Sequence, residues 1–297
     1  MKPGCSLAAV VTLPLAMLLC GCSLISTTHK LPVPIAPASI QTATADDLVA
    51  QLNKRWTGLD TLYATVEIQA SVLKTKEGLA KDFTTFRGII MMRKPEMLRV
   101  YGRVPVIGTR MFDMASDGKT FTLYIPSRSK AVKGSNKLKK KSASQVENLR
   151  PGFFFDAMVV RGLEPNDRYT VTADTITVED TAKKHLYSVP EYILSITRPK
   201  AGSQQDTPVR VVRFHREDLL PYQQDIYDDD GNLETQVSYA NYHDFGTGSY
   251  PATVTIKRPL EEYQVVLTVD KVVENMALKD DQFQLTYPKE TQVQNLE

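Results

Sequence analysis

From Ala64 to Val72 the chain alternates without a break: Ala64, Val66, Ile68, Ala70 and Val72 are apolar, and Thr65, Glu67, Gln69 and Ser71 between them are polar. Successive side chains of a strand point to opposite faces, whereas a helix would scatter this pattern around its circumference. The stretch therefore predicts a strand with one buried face. Further strands are expected at 83–93, 97–102, 109–115, 120–125, 169–179, 192–198, 209–216, 222–227, 234–244, 252–258 and 262–272. Ser116-Asp117-Gly118-Lys119 and Asp229-Asp230-Gly231-Asn232 carry the Asp-Gly pair of tight hairpins, where glycine takes positive φ without steric cost. Strands joined this way must run antiparallel.

Helical signals are few. Thr44 precedes Ala45, Asp46 and Asp47 as a cap with two acids in the first turn, and Leu48, Val49, Leu52 and Trp56 then share a face before Gly58 ends the pattern. A second helical piece is expected at 144–149 and 153–160, interrupted by Pro151-Gly152, bringing Phe153, Phe154, Phe155, Met158 and Val159 together. No repeat of fixed period and no linker divides the body, so residues 44–297 read as one domain: an antiparallel sheet with a few helices against a single face.

The start of the chain reads as an export signal. Lys2 precedes an apolar stretch at 7–19 broken only by Thr12 and Pro14, too short to span a bilayer core that needs about 20 residues as helix. It ends in Leu19-Cys20-Gly21-Cys22, a lipobox pattern. The expectation is a signal peptide over 1–21, cleavage after Gly21, and lipid on Cys22. Cys5 and Cys20 leave with the signal, so no disulfide can form within the mature chain, and acylation explains the remaining cysteine. Bacterial lipoproteins resemble one another in carrying a diacylglycerol and an amide-linked acyl chain on that residue. This exceeds the two signals that stable anchoring requires. Ser23 after the cysteine looks like an outer-membrane address, on the periplasmic face. Residues 22–43, with Pro32, Pro34 and Pro37, read as a tether reaching on the order of 25 Å.

Charge and motif content exclude several classes. The chain holds 36 basic and 34 acidic residues, and this near neutrality argues against a nucleic-acid binder. The histidines are scattered without metal-ligand spacing, His215 and His243 reading as surface residues, so no metal is expected. No nucleophile elbow, phosphate loop or triad order is visible, and the chain reads as a non-enzyme without a cofactor other than its covalent lipid. Lys130, Lys133, Lys137, Lys139, Lys140 and Lys141 form a basic run. It reads either as a solvated loop or, through Lys137, Lys139, Lys140 and Lys141, as a contact with anionic headgroups or an acidic partner.

Several phrases then align in order. Leu59-Asp60-Thr61-Leu62-Tyr63-Ala64, Arg87-Gly88 with Arg93-Lys94-Pro95 and Leu98-Arg99, Asp117-Gly118-Lys119 with Leu123-Tyr124-Ile125-Pro126, Tyr227-Asp228-Asp229-Asp230-Gly231, and Tyr250 to Ile256 resemble the LolA/LolB lipoprotein-localisation superfamily, which also includes RseB/MucB-type sensors. The resemblance implies a mainly β fold with minor α: a curved antiparallel sheet forming an unclosed half-barrel, with helices plugging its concave face around a hydrophobic cavity. It implies binding of lipoprotein acyl chains or a similar amphiphile, for transport or localisation, or of a protein partner in the envelope on the same fold. The expected cavity wall is Trp56, Val66, Ile68, Met91, Met111, Phe153, Phe154 and Met158, methionine being soft and adaptable; the alternative is that the methionines are ordinary core filler.

Overall fold

The computed structural model describes residues 33–74, 77–104, 108, 110–136, 150–180, 185–200, 202, 205–246 and 248–296. The signal segment, Cys22, and Lys137 and Lys139 to Lys141 lie outside the described residues.

In chain order the elements are α1 (Ala45–Thr57), β1 (Thr61–Lys74), β2 (Leu79–Asp82), β3 (Phe86–Arg93), β4 (Met97–Arg103), β5 (Arg110–Ser116), β6 (Thr120–Ile125) and β7 (Lys130–Ser135). After α2 (Pro151–Met158) come β8 (Arg168–Asp180), β9 (His185–Pro199), β10 (Asp206–His215), β11 (Pro221–Tyr227), β12 (Leu233–Asp244), β13 (Ser249–Arg258), β14 (Tyr263–Glu274) and β15 (Gln292–Asn295). All fifteen strands belong to one sheet, in the order β15-β7-β6-β5-β4-β3-β1-β14-β13-β12-β11-β10-β9-β8, with β2 paired to β1 off this path. The pairs are antiparallel except β15 with β7. In the middle, β1 lies between β3 and β14, with Val66 opposite Val269 and Ile68 opposite Leu267.

The sheet curves without closing. Phe121 and Leu123 near one flank share a single core cluster with Leu194 and Ile196 near the other, and with both helices. Only a sheet bent around α1 and α2 brings those strands to one core. This is the unclosed half-barrel with helices on its concave side.

Local chemistry explains the ends of the elements. Thr44 Oγ1 accepts from Asp47 N and the Asp47 carboxylate accepts from Thr44 N, a reciprocal cap at the start of α1. Gly118 takes φ +92° and Gly231 φ +81°, as the Asp-Gly turns require. Asp117 Oδ1 accepts from the amides of Lys119 and Thr120, bonds that hold its carboxyl below the ordinary carboxylate range. Pro151 and Gly152 belong to α2, with Pro151 its first residue, where the missing N–H costs nothing; the helical piece expected at 144–149 lies outside the described residues. Strand β7 forms within what the sequence presents as the start of a basic loop, and its Ala131 and Val132 are buried.

Two glycines on the core face make room for neighbouring side chains. Gly88 of β3 and Gly102 of β4 are cross-strand partners. A Cβ on Gly88 would come within 2.5 Å of Ile68 Cδ1, and one on Gly102 within 2.6 Å of Phe86 Cδ2. Ile68 and Phe86 lie in the space their side chains vacate.

The convex face has its own cover. Leu278 and Phe283 pack on Met91, flanked by Tyr63, Ile89, Met97 and Tyr101. Arg93 Nη1 donates to Leu278 O at 3.0 Å, Arg99 Nη1 to Gln284 O at 2.8 Å, and Tyr287 stacks on Tyr124. The strap ends as β15.

Candidate functional site

Both helices pack on the concave face, and α2 is a strongly apolar occupant of it. Phe153, Phe154, Phe155, Ala157 and Met158 of this eight-residue helix are all buried. Phe153 packs on Phe154 with ring centroids at 4.3 Å and meets Tyr263 edge-on at 6.0 Å. Phe155 meets Trp56 of α1 edge-on at 6.2 Å, so the two helices touch through this pair. Trp56 lies between two cations, Lys94 Nζ at 4.7 Å and the Arg161 guanidinium at 5.8 Å from its ring.

The start of α2 has no side-chain cap, whereas its C-terminal carbonyls are held by groups from the sheet. Gln224 Nε2 donates to Asp156 O at 2.6 Å, Tyr250 Oη to Met158 O at 2.7 Å, and Arg210 Nη1 to Arg161 O at 2.8 Å just beyond the helix. All three donors are buried residues. Burial pushes the Tyr250 hydroxyl well above its ordinary range and lowers Arg210. Arg258, buried under Phe153, donates to Thr235 Oγ1 at 2.7 Å and pairs with Glu234 and Glu261. Two buried polar atoms beside this seat, Gln224 Oε1 and Tyr263 Oη, have no hydrogen-bond partner among the described residues.

Space remains between α1, the end of α2 and strands β11 to β13. A cavity of about 140 Å³ opens there, walled by Leu52, Arg55, Met158, Val160, Tyr239, Tyr242, Tyr250 and Pro251 among others. This is smaller than the ~300 Å³ at the low end of small-molecule pockets. Among the described residues, the side chains of α2 occupy the concave face beside this cavity. Asn241 explains why Tyr239 and Tyr242 share this wall despite odd spacing: it takes φ +56° and breaks the alternation between them.

The expected wall residues fall into three groups. Val66, Ile68, Phe153, Phe154 and Met158 are buried in the concave core, with Trp56 packed against it; of these Met158 borders the cavity. Met91 is a correction: it faces the convex side under Leu278, because Ile90 and Met92 on either side take the concave face. Met111 is a second correction, an exposed residue next to the irregularity where Arg103 pairs with Arg110. His215 is also not a free surface residue: its ring stacks on Tyr222 at 4.1 Å and its Nδ1 is buried. The sequence reading missed Gln224, Arg210, Tyr239, Tyr242 and Tyr250. Tyrosines at inward positions of strands were the available signal, since a buried hydroxyl needs a partner.

No family model and no curated protein matches this chain. Solved structures similar to it include a LolA superfamily protein from Nitrosomonas europaea, at TM-score 0.48 and 14% identity over 82% of this chain and 99% of that one. A DUF1329 family protein from Desulfovibrio piger aligns at TM-score 0.48 and 17% identity, covering 81% of this chain and 95% of the other. The Pseudomonas aeruginosa MucA/MucB complex aligns at TM-score 0.27 and 12% identity, covering 82% of this chain and 61% of the matched one.

Proposed function

We propose that this protein is a lipid-anchored, non-enzymatic binding protein of the bacterial envelope that takes up an acyl chain or similar amphiphile on its concave face when α2 leaves its seat. The carrying observation is α2 itself: a short, almost wholly apolar helix with no side-chain cap among the described residues, seated in the concave core. Exchange of α2 for a ligand swaps one apolar surface for another, so it needs no covalent chemistry. Each methylene buried by the incoming chain contributes about 0.8 kcal/mol. An occupant with a polar end also suits the seat, because Gln224 Oε1 and Tyr263 Oη are left without partners. The lipobox at Cys22 and the superfamily-like phrases support an outer-membrane site of action and a role in lipoprotein or lipid placement.

Organic extraction of the purified full chain, followed by mass spectrometry, tests the binding, with uptake of a fluorescent fatty acid as the second measurement. Co-purifying lipid or saturable uptake that F153S/F154S alters is the expected result. A chain that carries no lipid and ignores the probe, with and without these substitutions, overturns it.

One observation favours a second reading, an envelope sensor or scaffold for a protein partner. Strand β8 is an edge of thirteen residues, mostly exposed and paired on one side only. Such an edge can accept an added strand from another protein. Partner capture unchanged by lipid removal would favour it.

A further inference from the structure

On the convex face, three arginines stand in one row across neighbouring strands. Arg87 of β3 is directly opposite Arg103 of β4, and Arg103 is directly opposite Arg110 of β5. Side chains so placed are ~4.5–5.5 Å apart at Cβ, and like charges there destabilise a sheet. Two acids lie at the ends of the row. Glu67 stands opposite Arg87 at the end of the row, and Asp113 is bound by Arg99, through Nε at 3.0 Å and Nη2 at 2.7 Å, and also by Arg110. Among the described residues, neither Arg87 nor Arg103 forms an ion pair.

The next row inward supplies a floor. Ile89 lies opposite Tyr101, and the Tyr101 ring meets the guanidiniums of Arg103 at 5.5 Å, Arg110 at 5.4 Å and Arg99 at 5.7 Å. A cleft of about 190 Å³ opens at this point, lined by Thr65, Arg87, Gly88, Ile89, Tyr101 and Arg103. Gly88 lines this cleft through its backbone, since the place of its missing side chain faces the core. The cleft is therefore small, with Arg87 and Arg103 in its wall and the Tyr101 ring beneath the Arg103 guanidinium.

We infer that this cleft binds a phosphate group, held by the paired guanidiniums of Arg87 and Arg103. Guanidinium presents two parallel N–H donors that match two phosphate oxygens, and two arginines opposed across one ladder form a clamp around a tetrahedral anion. The anion removes the repulsion that the row otherwise carries. The group can belong to free phosphate or to an anionic phospholipid headgroup. The site lies on the opposite face of the sheet from α2, and it stands whether or not an acyl chain binds there.

The experiment uses the full chain in a non-ionic detergent at constant ionic strength. Inorganic phosphate at millimolar concentration is expected to raise the melting temperature of the wild type and leave R87Q/R103Q unmoved. The affinity of R87K/R103K, which keeps the charge and loses the fork, should fall at least several-fold. A parallel arm replaces phosphate by mixed micelles containing phosphatidylglycerol, with phosphatidylcholine as reference. A response to both supports the clamp and admits either source; a response to phosphatidylglycerol alone assigns the headgroup. Without phosphate, R87Q/R103Q should melt at or above the wild-type temperature, because repulsion is relieved. The inference is overturned if neither arm responds, if the response persists in R87Q/R103Q, if only polyglutamate binds, or if R87Q/R103Q melts below the wild type without phosphate.

Discussion

The hydroxyl of Tyr250 donates to the backbone carbonyl of Met158 at 2.7 Å, and both groups are buried. This bond joins β13 to the last turn of α2, so a side chain of the sheet completes the hydrogen bonding of the plug. Replacing Tyr250 by Phe leaves the Met158 carbonyl without its donor. A loss of about 1–3 kcal/mol is expected in urea unfolding. Amide exchange of α2 should accelerate more than that of β1. If α2 gates the concave face, Y250F also takes up the acyl probe faster.

Glycine substitutions separate packing from flexibility. G102A forces a methyl against the Phe86 ring and should cost about 1–3 kcal/mol, as overpacking does. G152A meets nothing within 4 Å on the exposed side of α2, so it should stabilise by about 0.5–1 kcal/mol through helix propensity. Opposite shifts of the two melting temperatures are the check.

Asp113 is fully buried and accepts from two arginines. D113A leaves the Arg99 guanidinium without its carboxylate, and breaking a buried pair this way costs about 3–5 kcal/mol. Arg99 also donates to Gln282 O and Gln284 O of the strap. Limited proteolysis should therefore cut between 276 and 291 earlier in D113A than in the wild type.

Burial raises the hydroxyls of Tyr239, Tyr242, Tyr250 and Tyr263 above their ordinary value of 10.0. Each stays protonated in the folded chain at a pH where the unfolded chain ionises it. Their stabilisation is complete below pH 10 and falls as pH rises beyond it. Tyrosinate absorbance should rise in one steep step that coincides with loss of the strand signal in circular dichroism.

The strands were legible because period two is a property of neighbouring residues, and β1 follows it from Ala64 to Ile68 as read. The same rule, applied to β3, would have turned Met91 away from Ile90 and Met92. Pro151 reads as a break along the chain because its fit to a first helical turn depends on a start that the flanking residues do not mark. Strand β7 was hidden by its lysines, whose charge masked Ala131 and Val132. The seat of α2 and the row of arginines depend on register between strands, and register is not written along the chain. Gln224 and Met158 meet at α2 only because the sheet bends.

The middle of the sheet is a seam between the start and the end of the chain, where Leu62 faces Glu274 and Val72 faces Tyr263. Until β14 has been synthesised, β1 has β3 on one side and a bare row of backbone donors and acceptors on the other. The hairpins of each half can form early from local contacts, but the halves cannot be joined before β14 has been made. Contacts this distant in sequence slow folding and expose edges while it proceeds. A chain built this way closes its sheet last, across the seam between β1 and β14.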